Sequence, residues 1–238
     1  NRGWLYHDIY KPWQSGDPDI EVINFPSTAN PTYPTKAIEL NRRTMNSARF
    51  RMMHEGSFAR PQGAIYTQWD DSMIEAPFPI PDSWWKGAAI DFGYNHPTAS
   101  IWATQDDDGV YHIYREYRAA QRLLKDHYAH LTANHTTPTA SQWWADYEAK
   151  QDRAELSRLG IPTAPAVKAV AQGIDTVSTL MATGRLKVWN TCPNWIDEVE
   201  SYIWETKYDL PTDQPKKEND DLMDATRYLL HSKDKGPA

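Results

Sequence analysis

The chain has 238 residues, 40% of them hydrophobic and 24% charged, with a formal net charge of −7. This is enough for one large domain, or one domain and a smaller piece, and too apolar for a disordered chain. The acidic balance excludes a protein that coats nucleic acid through bulk positive charge, the lone Cys192 excludes an intrachain disulfide or a multi-cysteine zinc site, and no apolar run reaches the ~20 residues of a membrane span.

Residues 4–10 and 19–25 read as short strands around a Pro/Gly/Ser/Asp turn, and 26–34 as a loop. Thr35 caps a predicted helix over 36–54, stopped at Gly56 and Ser57. Residues 61–69 read as a strand, and proline-rich 76–82 as an extended linker. A second pattern follows. Residues 86–92, 98–104 and 110–118 are three strands, the last with Val110, His112, Tyr114 and Glu116 in alternation. The run Asp106–Asp108 with Gly109 reads as a tight hairpin turn rather than a metal site. Helices are predicted over 123–134, 149–159, 170–183, 195–204 and 220–231, with strands at 141–146, 161–165 and 186–189, and a polar loop at 208–218. Three antiparallel-type strands, then helix–strand units, then a closing helix predict an α/β fold: a ribonuclease H-like mixed sheet flanked by helices on both faces. In it the strand carrying Asp91 is central, beside the strand carrying Asp146.

Four acidic residues carry the chemistry. Asp91 ends the run KGAAIDFG that begins at Lys86, Asp146 ends QWWAD, and Asp221 and Asp224 share a helix face at i, i+3. Hydrolysis of a phosphodiester needs an activated water and a stabilised leaving oxygen, and two divalent ions about 4 Å apart supply both. Hard cations take oxygen ligands. Asp91 is assigned the bridging role, Asp146 one ion and Asp224 the other. Asp220 lies about 100° from Asp221 on an ideal helix and suits a helix N-terminus instead. Gly93 lets backbone or substrate approach Asp91 closely. His96, a loop histidine before Pro97, reads as structural, with the rim of this site as the alternative, and Tyr94 and Trp143 read as packing residues.

These segments resemble the nuclease domain of the large terminase subunits of tailed phages. The run from Ala89 to Ala99 (AIDFGYNHPTA) looks like that family's opening strand, Trp144-Ala145-Asp146 like its second acidic motif, and Asp221–Tyr228 (DLMDATRY) like its closing one. Lys168, Gly173-Ile174 and Gly184-Arg185-Leu186 also look family-like. The family often has His where this chain has Asp221, which makes Asp221 an auxiliary ligand or proton-handling group. The resemblance extends upstream through Asn30-Pro31, the 36–54 helix and Gly63–Tyr66. It implies that 1–55 is the tail of an ATPase domain and its linker helix, 56–85 a junction, and 86–238 the nuclease. No GxxxxGK[ST] loop is present, so this chain alone is expected to lack ATPase activity.

The implied activity is a metal-dependent endonuclease, with two Mg²⁺ or Mn²⁺ ions, cutting concatemeric viral double-stranded DNA during packaging. The implied partners are that DNA, a portal protein, a small terminase subunit and the preceding ATPase domain, at the procapsid in the host cytoplasm. Lys168, Arg185 and Lys187 are the foremost DNA contacts, Lys168 above all, with Lys150, Arg153, Lys216 and Lys217 as further candidates. Two alternatives remain. Actin-like sugar kinases also open on an Asp-x-Gly hairpin, as Asp91–Gly93 would, and a non-catalytic docking module would use the acidic cluster as a partner surface.

Overall fold

The computed structural model of the chain describes residues 5–44, 50, 54–56, 63–133, 138–207 and 210–235. It divides into two compact units, Asn1–Ala64 and Ile65–Ala238.

In the first unit, Leu5–Tyr10 is a π-helical turn that runs on into α1 (Lys11–Gln14), and α2 spans Thr35–Thr44. The strands expected at 4–10 and 19–25 are not formed among the described residues. Tyr6, Ile9, Tyr10 and Trp13 recur at i, i+3, i+4 and i+7, a helical spacing that outweighs the short run of alternation. Among the described residues no strand pairs with 20–26, which are irregular. Of the predicted 36–54 helix, the part at 45–49 and 51–53 lies outside the described residues.

The second unit is built on a seven-stranded mixed sheet. Its strands are β1 (Ile74–Glu75), β2 (Trp85–Asp91), β3 (Thr98–Gln105), β4 (Tyr111–Ala119), β5 (Gln142–Asp146), β6 (Ala164–Ala166) and β7 (Leu186–Trp189), in the order β1-β7-β4-β3-β2-β5-β6. Only β3 runs against the rest. Strands buried on both faces need apolar residues throughout, and the interior of β2 and nearly all of β3 are buried. On one face lie α5 (Val170–Ala182), α6 (Pro193–Ser201) and α7 (Asp221–Lys235), closing a core with Ala89, Ile101, Trp144, Trp195 and Leu229. On the other lie α3 (Leu124–Thr132) and α4 (Lys150–Arg158), packing Leu131 and Leu156 on Ile90, Trp102 and Trp143. The fold is the ribonuclease H-like sheet that the order of elements predicts. The aromatic residues anchor it: Trp69, Trp102 and Trp195 are fully buried, and truncation of such a residue costs about 3–5 kcal/mol.

Four expectations change. Residues 65–85, assigned to the junction 56–85, belong to this second unit. No strand forms over 63–69, because Tyr66 and Trp69 turn into the core instead. The proline-rich stretch is extended, but Phe78 and Ile80 pack against the second core and β1 adds an edge strand on β7. Residues 208–218, read as a polar loop, carry a strand: β8 (Trp204–Lys207) and β9 (Leu210–Pro215) form a separate antiparallel hairpin.

A β-bulge interrupts β4. Trp102 opposes Arg115 while Ala103 opposes Ile113, so Tyr114 is the extra residue. Before the bulge, His112 lies on the α3–α4 face; after it, Glu116 and Arg118 lie on the α5–α7 face, opposite Ile101 and Ala99. The single alternation expected from Val110 to Glu116 is therefore broken in the middle.

Candidate active site

β2 and β5 are parallel neighbours, so their carboxyl ends lie side by side, and each ends on an aspartate. Alternation sets their direction. Ala89 and Trp144 belong to the core under α7, whereas Ala88, Ile90, Trp143 and Ala145 belong to the opposite core. Two residues further along, Asp91 and Asp146 face α7. That helix packs across β2, β3 and β5 and carries Asp221 and Asp224 in its first turn. The structure thus brings all four acidic candidates to one end of the sheet.

Their environments differ. The Asp91 carboxylate makes no hydrogen bond or ion pair with a described residue. Burial first, then Asp224 and Asp221, push it up to about 8, with Asp146 adding to the effect and Lys217 opposing it. The other three turn to cations. Asp146 accepts a 2.8 Å bond from Lys168, which also pairs with Glu148. Asp224 pairs with buried Arg227 and, at 3.1 Å, with Lys217, which also reaches Asp220 at 2.8 Å. Asp221 accepts from Arg118 at 2.9 Å. Burial lowers the proton affinity of Lys168, but its bonds to Asp146 and Glu148 outweigh this and hold it raised. The buried Tyr228 phenol lies in the same field: burial, then Asp91, Asp224 and Asp146, raise it strongly.

Among the described residues no three His, Cys, Asp or Glu side chains stand disposed to hold a metal ion. Cations engage three of the four carboxylates instead: Lys168 meets Asp146, Arg118 meets Asp221, and Lys217 and Arg227 meet Asp224. The donors themselves suit a hard divalent ion: all are carboxylate oxygens, and Asp91 is destabilised by negative charge that a cation would relieve.

The first turn of α7 is set from outside. Asn219 takes a positive φ of 50°, which Asn tolerates, and its side chain accepts from Arg118. The Met223 amide, an orphan donor at a helix start, gives a 2.8 Å bond to Glu198 of α6. Glu198 is buried, 3.7 Å from Arg118, and burial pushes it up to about 8. Gly93 closes the turn after β2. A Cβ there would lie 2.5 Å from the His96 carbonyl oxygen, so the close approach is of the chain to itself. Thr98 locks it, its hydroxyl donating to the Gly93 carbonyl and accepting from the Gly93 amide.

The cationic candidates separate. Lys168 lies at the carboxylates, as does Lys217. Arg185 and Lys187 do not: they sit at the start of β7, whose direction matches β2, so they lie at the opposite end of the sheet, about 20 Å away along a seven-residue strand. There Arg185 donates to the Gly109 carbonyl and Lys187 to that of Ser72. Arg153 is likewise held by Thr163. Asp106 is a turn residue as expected, accepting from the Val110 amide, and also meets His112. Trp143 packs edge-on against Trp102. Tyr94, read as a packing residue, is 60% exposed.

Glu198, Arg118 and Arg227 were missed. Arg227 was legible, three residues after Asp224 on one helix face. Glu198 and Arg118 had no local signal, since they meet α7 only through tertiary packing and the bulge.

Residues 88–233 match the terminase RNaseH-like domain family. The large terminase subunit of Escherichia phage T5 is 27% identical over 220 residues, covering 87% of this chain and 50% of that one, so the chain spans about half the length of this curated relative. The nuclease domain of the P22 large terminase superposes with a TM-score of 0.62 at 24% identity, over 72% of this chain and 93% of that one. The large terminase nuclease from thermophilic phage G20c, with bound magnesium, superposes at 0.54 and 17% identity, over 72% and 98%. These superpositions show a shared fold.

Proposed function

We propose, for a chain that belongs to the terminase RNaseH-like domain family, a divalent-metal-dependent endonuclease that cuts concatemeric viral double-stranded DNA during genome packaging. The observation that supports this most is the mutual field of Asp91, Asp146, Asp221 and Asp224 at the shared carboxyl end of β2 and β5. In this reading Asp91 would be the ligand shared by the Mg²⁺ or Mn²⁺ ions, Asp146 and Asp224 would hold one each, and Asp221 would be an auxiliary ligand. When bound, the ions supply the positive charge that lets a water attack phosphorus and steadies the leaving oxygen. The magnesium carried by the G20c nuclease is that protein's own, and lends support through the common fold.

The chain's own cations divide the remaining work. Arg227 is 2% exposed and Arg118 is tied to Asp221, Asn219 and Glu198, so these two orient the carboxylates. Lys168 and Lys217 have partly exposed side chains and turn to the DNA phosphates, contacts that carry no sequence information. As for the whole protein, the proposed partners are the DNA, a portal protein, a small terminase subunit and an ATPase domain, acting at the procapsid in the host cytoplasm. Among the described residues no helix is long and apolar enough to cross a membrane.

The test is plasmid nicking with Mn²⁺ or Mg²⁺. Asp91→Ala is expected to abolish it with the circular dichroism spectrum unchanged, and Asp146→Asn and Asp224→Asn to reduce it at least a hundredfold, on the order of a lost transition-state contact. Full nicking by Asp91→Ala overturns the assignment. Mn²⁺ is also expected to raise the melting temperature of the wild type and not of Asp91→Ala.

A further inference from the structure

Round the carboxyl end of β2 from the four carboxylates, on the α3–α4 side, lies a cavity of about 540 Å³. Its lining begins with Phe92 and Gly93, the two residues after Asp91, and continues through Tyr94, Thr98 and Leu123 to His127. The volume is in the range that accepts a small organic molecule.

His127 is a buried part of this wall. It is 2% exposed, and its Nδ1 is 2.8 Å from the Tyr117 hydroxyl. Its Nε2 is buried. Burial, then the neighbouring Arg122 charge, lower its proton affinity, and a contact with the Arg122 backbone opposes them, so the ring is a packed part of the wall.

Exposure singles out the same place. Among the described residues of the second unit, the large apolar side chains left exposed are Tyr94 at 60%, Leu123 at 57% and Tyr147 at 46%. All three follow the carboxyl ends of strands: β2, β4 and β5 respectively. The backbone of Tyr94 is pinned by a 2.9 Å bond from the Gln121 amide, for which Gln121 adopts a φ of +56°.

The charges at this cavity tell what would enter it. Arg122 and Lys125 are exposed and make no ion pair with a described residue, unlike the cations around Asp146 and Asp224. On the other wall are Asp152 and Glu155. Two carboxylates repel a phosphate from the interior and favour an edge that donates hydrogen bonds, as the exocyclic amino groups of bases do. The two free cations suit phosphates outside.

We propose that this cavity receives an unstacked nucleobase of the DNA strand held at the carboxylates. Tyr94 stacks on the base, Asp152 and Glu155 accept from its edge, and Arg122 and Lys125 take the adjoining phosphates. Stacking tolerates any base, so the site favours DNA that opens easily over a particular sequence. This rests on the nuclease reading, because the base is placed by the phosphate beside it.

The experiment is fluorescence anisotropy with labelled 20-mer duplexes, fully paired or with one central mismatch, in Ca²⁺. Wild type is expected to bind the mismatched duplex roughly tenfold more tightly, the order of one base stacked on an aromatic ring. Tyr94→Ala and Leu123→Glu, both at exposed positions, are expected to lose that preference. Equal affinity of wild type for both duplexes overturns the proposal, as does a preference that survives Tyr94→Ala; a cavity that instead takes a peptide gives the flat result. Plasmid nicking by the same preparations separates the two readings. Normal nicking with a flat mismatch series removes the nucleobase site alone, whereas absent nicking with the preference intact removes the nuclease reading and leaves the nucleobase site.

Discussion

Lys168 Nζ lies 2.8 Å from Asp146 Oδ2 and so sits on the carboxylate assigned to one of the two ions. A cation built into the site competes with the ions for the same oxygen. Lys217 does the same at Asp224, at 3.1 Å. Lys168→Ala is therefore expected to tighten Mn²⁺ binding, measured by calorimetry, by roughly two- to fivefold, the scale of a partly exposed ion pair. Nicking by the same variant falls where Lys168 also contacts DNA. Unchanged Mn²⁺ affinity would remove Asp146 from the ligand set.

The second prediction concerns pH. Asp91 rests at about 8 in the folded protein against 3.8 unfolded, through burial and then Asp224 and Asp221. The folded state binds this proton more tightly, so the contribution to stability is full below about pH 4, is lost as pH rises toward 8, and is flat beyond. Glu198, pushed by burial to about 8, adds a slope of the same sign. In chelator, urea midpoints of the wild type are expected to fall between pH 5 and 8. Asp91→Asn is expected to flatten part of that slope and to be the more stable protein at pH 8. Parallel curves for the two proteins would contradict the burial of Asp91 among like charges.

Glu198 supplies the third. It caps α7 from a different helix by accepting from the Met223 amide. Glu198→Ala leaves that donor buried and unpaired, at a cost of about 1–3 kcal/mol, and loosens the turn that carries Asp221 and Asp224. Glu198→Gln keeps the acceptor oxygen and is expected to lose less than half as much. Thermal melts and nicking rates should fall together in the Ala variant; a loss of stability with unchanged nicking would show that the first turn of α7 does not depend on this cap.

A fourth follows from Gly173 on α5. A Cβ there would stand 3.3 Å from Cβ and Cδ of Arg227, the buried partner of Asp224. Gly173→Val is expected to lower stability by about 1–3 kcal/mol through overpacking and to depress nicking by shifting Arg227. Gly173→Ala is expected to be close to neutral, its better helix propensity of up to ~1 kcal/mol offsetting a tight contact. Denaturant titrations of both variants decide this.

Much was legible because it depends on short-range periodicity. The apolar run before Asp91 and that before Asp146 mark strands buried on both faces, and each strand formed with its aspartate at the carboxyl end. The run from Val170 to Ala182 shows its buried face, Ile174, Val177, Leu180 and Met181, at helical spacing. Misreadings arose where patterns were short or mixed. Residues 5–14 carry both spacings, and Tyr66 and Trp69 entered the core from a turn. Arg185 and Lys187 looked like DNA contacts because a charge in sequence has no address. Their place at the far end of the sheet follows from the direction of β7.

By itself, the sequence determined the order of elements from β2 to α6 and the closing helix α7, the ribonuclease H-like class, and the identity of the acidic residues at strand and helix ends, since each is encoded within one element. Tertiary structure alone decided what surrounds them. The extra residue at Tyr114 turns Glu116 and Arg118 onto the α5–α7 face, where Glu116 accepts from the Asn194 and Trp195 amides at the start of α6 and Arg118 reaches Asp221. Without that bulge the alternation of β4 would carry Arg118 to the opposite face, because side chains of a regular strand change face at every residue.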